Sequence, residues 1–253
     1  MKTISETSFY APPEQIQNDT LHLSGQEAKH GHRVLRCTVG DLITVVDGCG
    51  GEYVVSVEST SRERIDGKIL RRRKGRKEPS SQVTLAQALC RGPKFDTVVE
   101  KATELGVRAV FPTITERSLP PPDNEHLQTR MSRWRKIAIG AMKQSGRALL
   151  PRIEPALSFD SVLCMLDDFD LSLIAWEGEK ESGLARALKG AHRTEKVLIL
   201  VGPEGGFSQG EVRRAITAGA LPFSLGPRRL RTETAGLVSL SLLLYELGDL
   251  GNP

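Results

Sequence analysis

The chain has 253 residues, a net charge of +4, 39% hydrophobic and 26% charged residues, the balance of a soluble globular protein with room for one or two domains. No stretch approaches the roughly 18 continuous apolar residues of a membrane-spanning helix, since the best candidate, Leu237 to Tyr245, is interrupted by Ser239 and Ser241. The opening Met1-Lys2-Thr3-Ile4-Ser5-Glu6 lacks the basic-then-apolar pattern of a signal peptide, which favours a cytosolic location.

The first part reads as β-rich. Asp41 to Gly48 predicts a strand ending in a turn, Glu52 to Glu58 a second strand, and Gly48-Cys49-Gly50-Gly51 the hairpin between them. Arg64 to Leu70 is a third strand, and strands spaced by turns suggest a small barrel. Between Arg62 and Lys77 nine Lys and Arg residues meet only Glu63 and Asp66, either a footprint for a polyanion or a solvated linker. A domain boundary is expected within 71–81. Beyond it, Val83 to Leu89 predicts a strand. Phe95, Val98, Val99, Ala102 and Leu105 predict a helix that Gly106 ends. Arg108 to Pro112 is the next strand, Pro120-Pro121-Pro122 breaks the chain, and a helix carrying Trp134, Ile137, Ala138 and Ala141 follows. The apolar runs Leu171 to Ala175 and Lys196 to Val201 suit buried parallel strands. Ser208 to Glu211 fits a capping box opening a helix. Leu221 to Leu225 is the last strand, and a helix from about Thr232 to Leu247 closes an α/β domain with a mainly parallel sheet.

The four cysteines, Cys37, Cys49, Cys90 and Cys164, form no CxxC pair, and the histidines complete no zinc pattern, so no metal is expected. Two segments carry more information. Leu200-Val201-Gly202-Pro203-Glu204-Gly205-Gly206-Phe207-Ser208 takes a buried strand into a glycine-rich loop and then a capped helix, at the strand end where open α/β sheets bind ligands. Its spacing matches neither GxGxxG nor a P-loop. Leu225-Gly226-Pro227-Arg228-Arg229-Leu230-Arg231-Thr232-Glu233-Thr234-Ala235 takes another strand end into a basic loop. Arg231 precedes an expected N-cap at Thr232 or Thr234. A cation there is unfavourable without an acidic partner or a ligand, so Arg231 either pairs with a carboxylate such as Glu233 or orients a substrate.

Together these segments resemble the paired signature of the SPOUT methyltransferases, most closely the branch that makes N3-methyluridine in 16S ribosomal RNA. In chain order, the resemblance also covers His30-Gly31-His32-Arg33-Val34-Leu35-Arg36, Val39-Gly40-Asp41, Asp47-Gly48, Glu100-Lys101-Ala102-Thr103-Glu104-Leu105-Gly106-Val107, Glu116-Arg117-Ser118, Arg133-Trp134 and Gln144-Ser145-Gly146-Arg147. It spans roughly residues 30 to 247; residues 1–29 match poorly.

The resemblance implies a PUA-like RNA-binding β-barrel over 1–75 and a SPOUT α/β domain over 80–253 with a deep trefoil knot, a topology nothing in composition or periodicity predicts. It implies a homodimer that uses S-adenosylmethionine on 16S ribosomal RNA in the small ribosomal subunit. Backbone groups around Leu200, Gly202, Leu225, Gly226 and Leu230, with Pro203 and Ala235 beside them, are then expected to hold the adenine and ribose, and Gly205 and Gly206 to leave room. Glu204 is expected to stabilise the sulfonium or accept the N3 proton, Arg231 to steady the uracil oxygens, and Thr232 to orient either partner. Alternatively Glu204 and Arg231 form an ion pair joining the loops. RNA contacts are expected from Arg33, Arg36, Arg71, Arg72 and Arg73, with Gln144, Ser145 and Arg147 nearer the reacting base. Two residues depart from the family pattern: Lys143 stands where an acidic residue is common, and Arg229 makes the second loop more basic. An enzyme of the same class acting on another RNA position, or a non-catalytic RNA-binding assembly protein, are the competing readings.

Overall fold

The computed structural model describes residues 3–75, 77–118, 124–189 and 194–251; the proline run at 120–122 and Arg76 of the basic tract lie outside the described residues. Contacts divide the chain into two units, Met1–Glu78 with Ile139–Leu150, and Pro79–Ala138 with Pro151–Pro253. Among the described residues no helix is long and apolar enough to cross a membrane.

The first unit is built from β1 (Thr3–Tyr10), β2 (Ile16–Gln17), β3 (Thr20–Ser24), α1 (Gly25–Arg33), β4 (Leu42–Val46), β5 (Gly51–Thr60) and β6 (Arg64–Lys74). Period-two burial is clearest in β6, where Ile65, Gly67 and Ile69 face inward and their neighbours outward. The expected hairpin forms between β4 and β5: the Asp47 carboxylate accepts bonds from the Cys49 and Gly51 amides at 2.7 and 2.8 Å and from the Tyr53 hydroxyl at 2.9 Å. The strands run in the order β1-β4-β5-β6-β3-β2, an open sheet curled into a half-barrel where a barrel was expected. The third strand is also longer than its apolar pattern. Arg71, Arg72 and Arg73 pair with Val54, Tyr53 and Glu52, so the start of the basic tract is ladder, not linker. Residues 3–33 carry three strands and a helix that the sequence pattern did not reveal. The α1 sequence GQEAKHGHR is polar and buries only Ala28 and Gly31, too few for a helical stripe.

The second unit holds β7 (Gln82–Ala88), α2 (Lys94–Leu105), β8 (Ala109–Ile114), most of α3 (Asn124–Ser145), β9 (Arg152–Ile153), β10 (Leu157–Ser158), α4 (Phe159–Leu163), β11 (Leu171–Ala175), α5 (Leu184–Ala187), β12 (Lys196–Val201), α6 (Gln209–Thr217), β13 (Leu221–Phe223) and α7 (Thr232–Glu246). Every pairing in its sheet is parallel, in the order β10-β8-β7-β12-β11-β13 with β9 beside β8. Val197 to Val201 are all buried, as a parallel sheet covered on both faces requires. One face packs Ala86, Phe111, Ile174, Leu198 and Leu200 against Phe159, Val162, Val212 and Ala215 of α4 and α6; α2 and α7 pack together, and α7 also lies against β7 and β12. Local signals act as the sequence implies. Gly106 caps α2 in the left-handed region, and Ser208 and Glu211 form the capping box of α6. The last helix departs slightly: Arg231 is itself the N-cap and Thr232 the first helical residue.

Residues 139–150 join the first unit through the packing of Met142 and Ala148 on Val46, the bridging of Leu149 to Gly48 and Cys49, and one buried charge. Arg147 is 2% exposed. Its Nε and Nη2 donate to Oε2 of Glu78 at 3.0 and 2.8 Å, while Oε1 accepts from the amides of Ala148 and Leu149, both at 2.9 Å. This corrects the expectation that Arg147 presents itself to RNA. Removing the carboxylate leaves a buried guanidinium without its anion, so Glu78→Ala is expected to destabilise the protein by about 3 kcal/mol, read as a lowered midpoint in urea denaturation; Arg147→Met, which removes the charge as well, is expected to cost less.

Candidate active site

Because β11, β12 and β13 are parallel neighbours, their carboxyl ends open on the same side. The loop after β12 and the loop after β13 therefore emerge on either side of the end of β11, and a cleft of ≈ 690 Å3, open mouth included, lies among them. β11 lies between the two strands that these loops follow. Of the expected cofactor residues, Gly202, Pro203, Gly206, Leu225, Gly226, Leu230 and Ala235 line the cleft, as do Glu204 and Thr232. Three do not line it. Leu200 is fully buried in the core, Gly205 packs on the Arg117 side chain, and Arg231 stands exposed beyond the lining. Sequence reasoning missed the end of β11, Ala175-Trp176-Glu177, together with Phe207 and the Arg228-Arg229 pair. The rule that ligands meet strand ends pointed to β11 as much as to its neighbours.

One hydroxyl locks the two loops together. Thr232 Oγ1 donates to the Gly202 carbonyl at 2.6 Å and accepts from Gln87 Nε2 at 2.8 Å. Thr232 is 4% exposed and Gln87 fully buried. The threonine expected to orient a ligand thus has its hydroxyl committed to the protein. Around this tie the glycines are needed for two different reasons. A Cβ on Gly202 would stand 3.1 Å from the Phe207 nitrogen and 3.2 Å from the Gly206 carbonyl carbon, so the loop turns too tightly for a side chain. Gly226 has φ +99° and open space where a Cβ would be, a conformation that favours glycine and leaves bare backbone on the cleft wall. From the far side, Arg117 Nη1 donates to the Gly205 carbonyl at 3.0 Å.

The charges at the cleft are arranged differently from either expectation. Glu204 does not pair with Arg231. Its Oε1 accepts from Lys94 Nζ at 2.8 Å and from the Arg91 amide at 3.1 Å. Partial burial pushes the Glu204 carboxyl upward, but the bonds from Lys94 and from the Glu204 and Arg91 amides outweigh it and hold the group below the usual carboxylate range. Such a group is a weak proton acceptor at neutral pH and a durable anion. Arg231 makes no ion pair among the described residues, and Glu233 is not its partner. At the mouth, Arg229 Nε stands 3.5 Å from Glu177 Oε2, both groups exposed.

The residues expected to meet RNA belong to the first unit. Arg33, Arg36, Arg71, Arg72, Arg73 and Gln144 are exposed. The Ser145 hydroxyl instead donates to the Ala141 carbonyl at 2.8 Å. Lys143, which departs from the family pattern, pairs with Glu27 at 2.6 Å.

Comparison with known proteins agrees with this architecture. A model described as an RNA methyltransferase domain matches residues 76–244, and one described as an RNA methyltransferase PUA domain matches residues 23–70. The chain is 32% identical to ribosomal RNA small subunit methyltransferase E of Bacillus subtilis, covering 92% of this chain and 93% of that one. It is 31% identical to the protein of the same name from Aquifex aeolicus, covering 93% and 98%. Among solved structures, a methyltransferase from Legionella pneumophila in complex with bound SAM superposes with a TM-score of 0.86 at 32% identity, covering 96% of this chain and 98% of that chain. The Neisseria gonorrhoeae ribosomal RNA small subunit methyltransferase E bound to S-adenosyl methionine gives 0.81 at 28% identity over 95% and 98%. The chain therefore belongs to the RNA methyltransferase family that includes the ribosomal RNA small subunit methyltransferases E.

Proposed function

We propose that this protein transfers the methyl group of S-adenosylmethionine to N3 of a uridine in 16S ribosomal RNA of the small ribosomal subunit. The observation that carries the reading is the meeting of the two glycine-bearing loops at one cleft, tied by Thr232. The residues present fit the methyl donor. Bare backbone at Gly202 and Gly226 and the apolar Leu225, Leu230 and Ala235 suit a flat base and a sugar, while Glu204 and Glu177 suit a cation. Bound S-adenosylmethionine supplies an electrophilic methyl group on a positively charged sulfur. The protein's task is positioning, worth up to about 7–11 kcal/mol for well-oriented reactants. Glu204 contributes a fixed negative charge in the cleft. Arg231, exposed and without an ion-pair partner among the described residues, steadies negative charge on the uracil oxygens as the N3 proton leaves. A uridine in folded RNA must be splayed out to expose N3.

In this reading residues 1–75 form the PUA-like RNA-binding domain, with Arg33, Arg36 and Arg71 to Arg73 meeting phosphates and Gln144 near the reacting base. Residues 80–253 form a SPOUT domain with a deep trefoil knot, and the enzyme works as a homodimer in the cytoplasm. The PUA-domain match over residues 23–70 and the relatives' names support the RNA-binding and ribosomal-RNA parts of this reading.

Calorimetry with S-adenosylmethionine is expected to show binding, and mass mapping of 16S nucleosides is expected to show N3-methyluridine lost on gene deletion and restored by the wild-type gene; no donor binding overturns the enzyme reading. Arg231→Ala is expected to slow methyl transfer by about 10²–10³-fold while donor affinity changes little; equal losses in both would make Arg231 structural. Thr232→Val, which strands the Gln87 amide and the Gly202 carbonyl, is expected to cost about 1–3 kcal/mol in thermal or urea melts and to weaken donor binding, with Thr232→Ser restoring most of both. Neutralising Arg71, Arg72 and Arg73 is expected to lower RNA affinity and flatten its salt dependence by roughly 0.7–0.9 in slope per lost phosphate contact, measured by filter binding over a salt series.

A further inference from the structure

The loop between β7 and α2, with the first residue of α2, supports the cleft's acidic residue. Lys94 is the first residue of α2. A cation at that end of a helix opposes the macrodipole, so the position does not serve the helix. What it serves is Glu204. Lys94 Nζ and the Arg91 amide both donate to the same oxygen, Oε1. Among the described residues, both bonds from other residues to this carboxylate fall on Oε1 and neither on Oε2, although Glu204 lines the cleft and its side chain is only 36% exposed. A carboxylate gripped by one oxygen has its orientation fixed and its second oxygen left for a ligand.

We propose that Lys94 is a positioning residue: by holding Oε1 of Glu204 it presents Oε2 to the cleft as a fixed anion that distinguishes a sulfonium ligand from its neutral thioether product. The proposal rests on the methyl-donor reading and deepens it by giving Glu204 the task of sensing charge, not of taking the N3 proton. The surroundings agree. The buried Cys90 thiol is pushed up to about 12 by burial and by the carboxylates of Glu204 and Glu233, so it stays neutral and does not compete for Lys94. The charge of Glu233 on α7 also favours the Lys94 ammonium, and that of Arg130 on α3 acts weakly on Cys90. Arg117 grips the carbonyl next along the loop, and Glu177, Arg228 and Arg229 line the same cleft. Among these groups Lys94 is the one whose side chain bonds Glu204 directly.

The test is calorimetric binding of S-adenosylmethionine and of S-adenosylhomocysteine, the neutral thioether, to wild-type protein and to Lys94→Met, Lys94→Arg and Glu204→Gln, from neutral pH down into the carboxylate range, with melting curves alongside. In wild type, Glu204 stays ionised to a lower pH than an ordinary carboxylate, so discrimination between the ligands holds as pH falls toward the carboxylate range. In Lys94→Met the carboxyl is protonated at a higher pH and its orientation loosens. Affinity for S-adenosylmethionine relative to the thioether is expected to fall about tenfold, the worth of one charge-assisted hydrogen bond, and to fall further on acidification. Glu204→Gln is expected to show the same loss without the pH dependence, and Lys94→Arg to restore both. Lys94→Met with wild-type discrimination, equal weakening of both ligands, or no rescue by arginine overturns the proposal. Wild type binding neither ligand overturns the methyl-donor reading itself, and this proposal with it.

Discussion

The bond between the Thr232 hydroxyl and the Gly202 carbonyl joins two stretches of chain thirty residues apart, and the cleft exists because they are joined. It is a bond the protein is compelled to make. Gln87 is fully buried at the centre of a parallel sheet, where an amide without a partner costs on the order of 1–3 kcal/mol. Thr232 satisfies its Nε2, and so the start of α7 is pinned to β7. Gly236, one turn on, allows the helix backbone to lie against the same amide, since a Cβ there would strike Gln87 Oε1. The second loop thus has its end fixed before any ligand arrives, and the first hangs from it through Gly202. Preorganisation of this kind is what a reaction governed by positioning requires.

Carboxylates repeat the theme at smaller scale, several of them anchoring backbone. Asp47 holds the β4–β5 turn. Asp170 accepts from the Glu195 and Lys196 amides, which set the start of β12. Asp249 accepts from the amides of Ser80 and Ser81 and from the Ser80 hydroxyl, which tie the segment after α7 to the approach to β7. In each case the anion meets two or more N–H groups, an arrangement stronger than neutral pairing. Burial pushes Asp249 upward, but its serine bonds prevail and hold it low; for Asp170 the two amide bonds are the leading cause of the same shift. These turns and strand starts are therefore held by short polar contacts.

Legibility in the sequence followed from how local each signal was. The strands β11 and β12 are where their apolar runs put them, because a strand buried on both faces has no other composition available. The capping box at Ser208 and the stop at Gly106 are encoded within four residues, and both formed. The two signature loops were visible as glycine-bearing turns after strands. Non-local partners were not visible. Arg72 and Arg147 look alike in sequence, yet one lies exposed on a strand and the other is enclosed by Glu78, sixty-nine residues away. Lys94 was passed over for the same reason: its meaning comes from Glu204, 110 residues on. The basic stretch after Leu70 read as linker because charge conceals a strand whose pairing rests on backbone bonds to Glu52, Tyr53 and Val54. The polar α1 was hidden because its inward face is only Ala28 and Gly31, small residues in an otherwise polar segment.

Because Ile139–Leu150 belongs with the amino-terminal unit, that unit is discontinuous in the chain. During synthesis its contribution from Lys143 and Arg147 arrives only after some sixty residues of the other unit, Pro79 to Ala138, have left the ribosome. Until then Glu27 and Glu78 wait without their cations. Nor does a cut after Glu78 release a self-sufficient module, since it strips away the segment that neutralises both acids. The two units are therefore not beads on a string that recombination can exchange freely, and their inheritance is expected to be joint.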